Sequence, residues 1–326
     1  MRSLRLLTTW SGPLPAYLPL FLKTAAGNPT VDFVFVADAP APPELPANVT
    51  WVERAFPDLL AEMGAALGVR LPAGDPYKMC DLKPTFGVTL AHLIGDADFW
   101  GHIDCDLVLG DLRASFTDAV LGAHDLLTLR GRGIMHGPLT VYRNTDPVNR
   151  LFEQAAGWRE TLSLPRCAGF DETCGWRRWK GEPRPEGTPE SMTDAAMRAV
   201  AAGAVCWYDP DHVKESAPYR SMDVRWEQRD GLGRLTDEHA RSLAFYHLLF
   251  AKDDRRFRIP TWPLGAVPEA FTLTRWGVRP VRQPSAVRSA VSGIWAAPQR
   301  VRAQLARLVP KARPGFALGG DEDRVI

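Results

Sequence analysis

The sequence predicts an α/β fold, with helices packed on the faces of a sheet, and three observations carry that expectation. Short apolar runs rich in β-branched and aromatic residues recur through the first half of the chain. Segments with helical apolar spacing alternate with them, the pattern of layered α/β architecture. Ser11, Asp38 and Asp104 each fall just after an apolar run, and ligands of such sheets bind at the carboxyl ends of strands.

In chain order, residues 3–9 read as a first strand, followed by a Ser11-Gly12-Pro13 loop and a helix over roughly 16–26. Val31 to Ala37 reads as a strand, and after a proline-rich loop so does Val49 to Val52. Phe56 to Leu67 carries helical spacing at Leu59, Leu60, Met63 and Leu67. Leu112 to Leu121 is expected to be helical, Leu126 to Leu129 and Leu139 to Tyr142 to be strands, and Pro147 to Ala156 to be a helix with proline near its first turn. A polar Pro/Gly loop follows at 180–190. Ser191 then opens a helix to Ala202, with Asp194 at the third capping-box position. Asp230-Gly231 is expected to turn a hairpin between Val224 to Gln228 and Gly233 to Leu235. Ser242 to Phe250 is a mixed apolar segment, strand or short helix, that carries His247. Within a tail that holds no acid from Arg275 to Arg313, Ala286 to Leu308 fits a basic amphipathic helix.

Bulk properties narrow the class. The chain has 326 residues, enough for one large domain or two modest ones. A net charge of +1 gives no support to wholesale nucleic-acid binding, and no nucleic-acid partner is expected. Five cysteines (Cys80, Cys105, Cys167, Cys174, Cys206) form no close CxxC pair, which argues against a zinc knuckle or a disulfide framework. The apolar patch at the N-terminus is broken by Arg5 and is too weak for a secretion signal. No stretch approaches the ~20 apolar residues of a membrane helix. A soluble cytoplasmic protein is therefore expected. The 11 tryptophans suit either carbohydrate handling or core packing.

The chemistry concentrates in Asp98 to Asp111, DFWGHIDCDLVLGD. Asp104 and Asp106 interrupt an apolar run, and buried carboxylates are costly unless cations or hydrogen bonds compensate them. Asp-x-Asp also occurs at Asp96/Asp98, Asp209/Asp211 and Asp321/Asp323, so the spacing alone proves little. Only Asp104/Asp106 has apolar residues closely on both sides.

The segments TTWSGPLPAYLPLFLKTAAGNPTVDFVFVAD, YKMCDLKPTFG, DFWGHIDCDLVLGDL, HGPLTVYRN and FYHLLFAK occur in that order across about residues 5–252. As an ordered set they resemble GT-A-type, nucleotide-sugar-dependent glycosyltransferases, and most of all a bacterial group of such proteins formerly of unknown function. The resemblance implies a GT-A (Rossmann-like) mixed sheet flanked by helices, forming a catalytic domain over 1–265. A basic extension over 266–326, helical or partly disordered, lies outside it. It further implies transfer of a sugar from a nucleoside diphosphate sugar, a UDP-sugar first, to a hydroxyl of a glycan, a lipid-linked glycan or a small molecule.

Several residues acquire roles from that resemblance. Asp104, Asp106 and His247 would hold Mn²⁺ or Mg²⁺, the imidazole favouring Mn²⁺. On the donor side stand Ser11, Asp38, Lys78, Asp81, Lys83, Asp104, His136 and Lys252. In an inverting transfer Asp171 or Glu172 would serve as the acceptor-side general base, whereas a retaining enzyme would use such a group differently, and both outcomes stay open at this level. Trp176 and Trp179 are candidates for a sugar-stacking platform. Several assignments have a plainer alternative: a core or surface histidine for His247, a loop histidine for His136, an N-cap or loop aspartate for Asp38, a solvated helix start with a local ion pair for Lys78, Asp81 and Lys83, and core or lid packing for the tryptophans.

Two rival functions remain open at this level. Asp104-Cys105-Asp106 after an apolar strand also fits an aspartate-nucleophile phosphatase, although such enzymes carry the motif on their first strand. A non-catalytic nucleotide-sugar or glycan-binding protein is the other. The basic tail adds contact with anionic lipid at the inner face of the membrane, against a helix packed on the catalytic domain or a disordered end.

Overall fold

The structure is a computed structural model that describes residues 1–176, 180–216 and 223–281. The basic amphipathic segment 286–308, with the rest of the tail beyond 281, and Trp179 lie outside the described residues. One compact unit spans Met1–Val281.

The strands are β1 (Leu4–Trp10), β2 (Asp32–Ala37), β3 (Val49–Glu53), β4 (Phe99–Ile103), β5 (Leu107–Leu109), β6 (Leu126–Leu127), β7 (Leu139–Arg143) and β8 (Trp207–Tyr208). These are followed by β9 (Val213–Glu215), β10 (Val224–Arg229), β11 (Leu232–Thr236), β12 (Phe245–His247), β13 (Ala270–Thr274) and β14 (Gly277–Pro280). Seven of them form the main sheet in the order β3-β2-β1-β4-β7-β6-β8. β1, β2, β3 and β4 run parallel, whereas β7 runs antiparallel to both β4 and β6. The expected α/β class with a mixed sheet flanked by helices is therefore present. Parallel strands covered on both faces read as continuous apolar runs, and β2 and β4 are such runs.

Helix α1 (Leu18–Ala26) buries Leu18, Phe21 and Leu22 against one face, in a cluster with Phe33, Phe35 and Phe99. Helix α2 (Phe56–Leu67) covers the other face through Leu59, Leu60 and Met63, packed with Trp100 and Tyr142. The Trp100 and Tyr142 rings stack with centroids 4.3 Å apart, and Trp226 is fully buried with its Nε1 donating to Leu109 O at 2.9 Å. Core packing thus accounts for both tryptophans.

Asp104-Cys105-Asp106 marks the point where the chain leaves one sheet for another. β4 ends at Ile103, and β5 joins a separate three-stranded sheet of order β5-β12-β9. There β12 runs antiparallel to β5 and parallel to β9, so that His247 stands opposite both Leu107 and Glu215. Residues 104–106 are therefore held from two sides: Asp104 N donates to Pro138 O at 2.8 Å, and Leu248 N donates to Asp106 O at 3.0 Å.

β10 and β11 form the expected hairpin, whose Asp230 and Gly231 both adopt positive φ, as a two-residue turn matched to strand twist requires. With β13 and β14 they make a four-stranded sheet. The helix Met192–Ala201 carries the complete Ser191/Asp194 capping box. Two expected helices are broken. Thr117 is extended and caps a new helix through Val120 N, splitting 112–121 into Leu112–Ser115 and Asp118–Ala123. The 147–156 segment divides at Arg150 into Asp146–Asn149 and a 3₁₀ turn, Leu151–Gln154.

Candidate active site

The parallel strands β2, β1 and β4 are neighbours, so their carboxyl ends lie side by side and bring Asp38, Ser11 and Asp104 to one edge. A cleft of ≈ 220 Å³ opens there, lined by Thr8, Trp10, Ser11, Tyr17, Tyr77, Cys80, Lys83, Asp104, Asp106 and Lys252 among others. Asp38 stands behind it: its carboxylate accepts from Ser11 Oγ at 2.6 Å and from Gly12 N at 2.8 Å, which fixes the loop after β1.

Asp104, Asp106 and His247 each present a ligand atom within 4.8 Å of the others. Asp106 is buried, and its Oδ2 meets His247 Nε2 at 3.2 Å and Lys252 Nζ at 2.7 Å. Its Oδ1 is buried without a protein partner. A buried carboxylate oxygen in that state is costly unless something pairs with it. Two carboxylates and one imidazole form a hard, oxygen-rich donor set suited to Mn²⁺ or Mg²⁺, so the residues fit a divalent cation.

The surrounding charges hold Asp106 and His247 ionised, whereas burial raises the Asp104 carboxyl above its ordinary value despite the neighbouring Lys83. Burial pushes the Asp106 carboxyl up, but His247 and Lys252 outweigh it and keep it well below the usual carboxylate range. Burial opposes the charged form of His247, yet Asp106 and Glu215 raise its pKa from 6.5 to about 9. Lys83 donates to Gly137 O at 3.0 Å and lies 2.6 Å from Asp104 Oδ1. Burial again opposes its charge, and Asp104, Cys80 and Asp171 overcome it and keep the ammonium.

Asp171 and Glu172 lie on the other side of Lys83. Asp171 is buried with Oδ2 3.8 Å from Lys83 Nζ, and burial lifts its carboxyl well above the ordinary range despite that cation. Glu172 is about a third exposed and accepts from Gly137 N at 3.0 Å. Gly137 is required for this approach, because a Cβ there would come within 2.6 Å of Asp171 Oδ2.

Other expected donor contacts point into the protein. Lys78 and Asp81 are fully buried and paired at 2.7 Å. Asp81 also accepts from Ala168 N and Phe170 N, and Lys78 donates to Thr161 O, so the pair ties the 166–170 segment to the helical turns at 76–82 instead of facing the cleft. His136 is fully buried, stacked on Phe245, with Nε2 3.4 Å from Glu215 Oε1. Trp176 donates from Nε1 to Glu182 O at 3.0 Å, and the Arg184 guanidinium lies over its ring.

Two residues of the site carry no signal that sequence patterning reads. Tyr17 enters the cleft from the N-terminus of α1, and burial raises its hydroxyl pKa, with Cys105, Asp106 and Asp104 adding to the effect. Glu215 ends β9 and accepts from His247, His136 and Arg130. Two of the other Asp-x-Asp pairs have structural roles: Asp98 accepts from Ser3 N and Oγ, and Asp209 accepts from four successive backbone amides, Arg130 to Gly133, as a loop clasp. Among the described residues, no helix is long and apolar enough to cross a membrane.

The family described as "Family of unknown function (DUF6625)" matches residues 6–199. No curated protein matches the chain. Among solved structures, the galactosyltransferase LgtC in complex with donor and acceptor sugar analogs is 13% identical, covering 74% of this chain and 86% of its own, with a TM-score of 0.36. The apo form of mouse xyloside xylosyltransferase 1 is 9% identical over 67% of this chain and 89% of its own, with a TM-score of 0.37. Similarity at that level transfers no residue role, and the chemistry has to be argued from this chain's own side chains.

Proposed function

The chain belongs to this family of unknown function, and from its site we propose that it is a metal-dependent glycosyltransferase that moves a sugar from a nucleoside diphosphate sugar to a hydroxyl acceptor. The observation that carries the reading is the convergence of Asp104, Asp106 and His247 at the carboxyl edge of β4, with Asp106 Oδ1 buried and unpartnered. Ammonium groups flank the cluster on both sides, Lys83 at Asp104 and Lys252 at Asp106. Such a grouping of acids and cations suits a ligand that is itself a dianion bound through a divalent ion.

In this reading Asp104, Asp106 and His247 hold Mn²⁺ or Mg²⁺. The cation, when bound, acts as a Lewis acid on the diphosphate leaving group, whose negative charge grows as the glycosidic bond breaks. Lys252 and Lys83 add positive charge to the same face. Ser11, with Asp38 bracing its loop, is assigned to the nucleoside end of the cleft. Lys78, Asp81 and His136 support the site through the bonds described above rather than by touching donor.

Acceptor-side chemistry is assigned to the Asp171/Glu172 pair. A carboxylate there takes the acceptor hydroxyl proton as the new bond forms, which requires it to be ionised at working pH. Glu172 is the more accessible of the two. The domain assignment is a catalytic unit over 1–265 with a basic extension over 266–326; β13 and β14 lie in the compact unit that ends at Val281. We assign the protein to the cytoplasm of a bacterium, at or near the membrane face.

Incubation with a panel of nucleoside diphosphate sugars and Mn²⁺ tests the proposal. Slow metal-dependent release of nucleoside diphosphate from one donor is expected, abolished by Asp106→Ala. Full metal-dependent turnover in that variant would refute the mechanism.

A further inference from the structure

Glu215 lies behind His247, on the side of the ring away from Asp106. β9 and β12 pair in parallel with Glu215 in register with His247, and in-register side chains of neighbouring strands share a face. Glu215 Oε1 lies 3.4 Å from His247 Nδ1, while His247 Nε2 faces Asp106 Oδ2 at 3.2 Å. The same Oε1 lies 3.4 Å from His136 Nε2, and Oε2 accepts from the Arg130 guanidinium. An ionised carboxylate only accepts, so three donors converge on this one group.

That geometry decides which nitrogen of His247 is available. A neutral imidazole has one N–H and one lone pair, and the bond made by one nitrogen fixes the role of the other. Asp106 by itself would draw the proton to Nε2, leaving no lone pair where a cation binds. Glu215 competes for the proton from the opposite side, and it is itself held by Arg130 and the buried His136 ring. Backbone bonds reinforce the arrangement, since Ser216 N donates to His247 O at 2.9 Å and Leu248 N donates to Asp106 O at 3.0 Å.

Resting on the metal-site reading above, we propose that Glu215 is a positioning residue that keeps the His247 proton on Nδ1 and turns Nε2 toward Asp104 and Asp106 for cation binding. Arg130 and His136 serve it by fixing the carboxylate. Loss of such an outer partner to a metal-binding histidine costs ~10–100-fold in metal affinity.

Calorimetric titration with Mn²⁺ of the wild-type protein, Glu215→Gln, Glu215→Leu and Asp106→Ala tests this. Binding ~10–100-fold weaker in Glu215→Leu is expected, with a smaller loss in Glu215→Gln, whose amide oxygen still accepts from Nδ1. Wild-type affinity in Glu215→Leu, with binding lost in Asp106→Ala, would overturn the positioning role and leave the metal site standing. A second readout needs no metal: long-range ¹H–¹⁵N correlation above the titration point of His247 reports its neutral tautomer. The wild-type protein should carry the proton on Nδ1 and Glu215→Leu should shift it toward Nε2. A wild-type proton on Nε2 would overturn the proposal even if the leucine variant failed to fold. Absence of Mn²⁺ binding in the wild-type protein would instead refute the metal-site reading.

Discussion

Lys252 sets its ammonium 2.7 Å from Asp106 Oδ2, the oxygen that also faces His247, so the other carboxylate oxygen is left buried and unpartnered. One acid of the cleft lining is thereby divided between an oxygen compensated by the protein and an oxygen without a protein partner. That division separates Asp106 from the other described aspartates of the Asp-x-Asp pairs, and it sets the expectations that follow.

Removal of this acid should affect fold and binding together. Asp106→Ala leaves His247 and Lys252 facing each other without their shared acceptor. Charge-assisted hydrogen bonds of this kind contribute about 1.5–3 kcal/mol each, so with two of them lost a decrease of about 3–6 kcal/mol in denaturant unfolding is expected. Asp106→Asn keeps the shape and should lose less stability, yet still lose Mn²⁺ binding.

Metal affinity should depend on pH through His247. Its pKa is raised to about 9 in the folded protein, so its protonation stabilises the metal-free fold fully below the ordinary value of 6.5, and that contribution is lost as pH rises through about 9. Cation binding at Nε2 displaces that proton. Mn²⁺ affinity should therefore climb ~tenfold per pH unit below about 9 and then level off. Calorimetry in buffers of different ionisation enthalpy should detect about one proton released per metal at neutral pH.

Lys78 and Asp81 should behave as a structural pair. Asp81→Ala strands a fully buried ammonium and frees the amides of Ala168 and Phe170. Breaking a buried pair in this way costs about 3–5 kcal/mol. Urea titration should show that loss, while Mn²⁺ affinity of the folded fraction stays within about twofold. A selective loss of donor binding with unchanged stability would return the pair to the donor site.

Asp171 should report its burial through the pH dependence of stability. Its folded pKa lies well above the unfolded value because of burial, so the stability it contributes is present at low pH and lost as pH rises through the folded pKa. Asp171→Asn should flatten that decline and gain on the order of 1 kcal/mol near neutral pH. Melting temperatures of both proteins, followed from acid to neutral pH, supply the comparison.

Much of this was legible in the chain. β1 to β3 and α2 announce themselves through local periodicity, and Asp104/Asp106 through the cost of placing acids in an apolar run. His247 was visible by resemblance, and its neighbourhood confirms only that it meets Asp106. The β4–β5 segment looks like one buried run because each half is apolar, while the change of sheet between them is a tertiary event. Glu215 was invisible for the same reason: its meaning comes from pairing with His247 across 32 residues of sequence, in a three-residue strand without periodicity. Lys78 and Asp81 have the composition of a ligand site, and only the 166–170 segment folded over them reveals their role.

The most direct test of the central claim is thermal unfolding of the wild-type protein and Asp106→Ala with Mn²⁺, a nucleoside diphosphate sugar, or both. A ligand that binds only the folded state stabilises it by about 2.7 kcal/mol at a concentration 100 times its Kd. The account predicts that one donor raises Tm of the wild-type protein only when Mn²⁺ is present, and that Asp106→Ala shows no such rise. A donor-dependent rise that is equal with and without Mn²⁺, or that persists in Asp106→Ala, would contradict it.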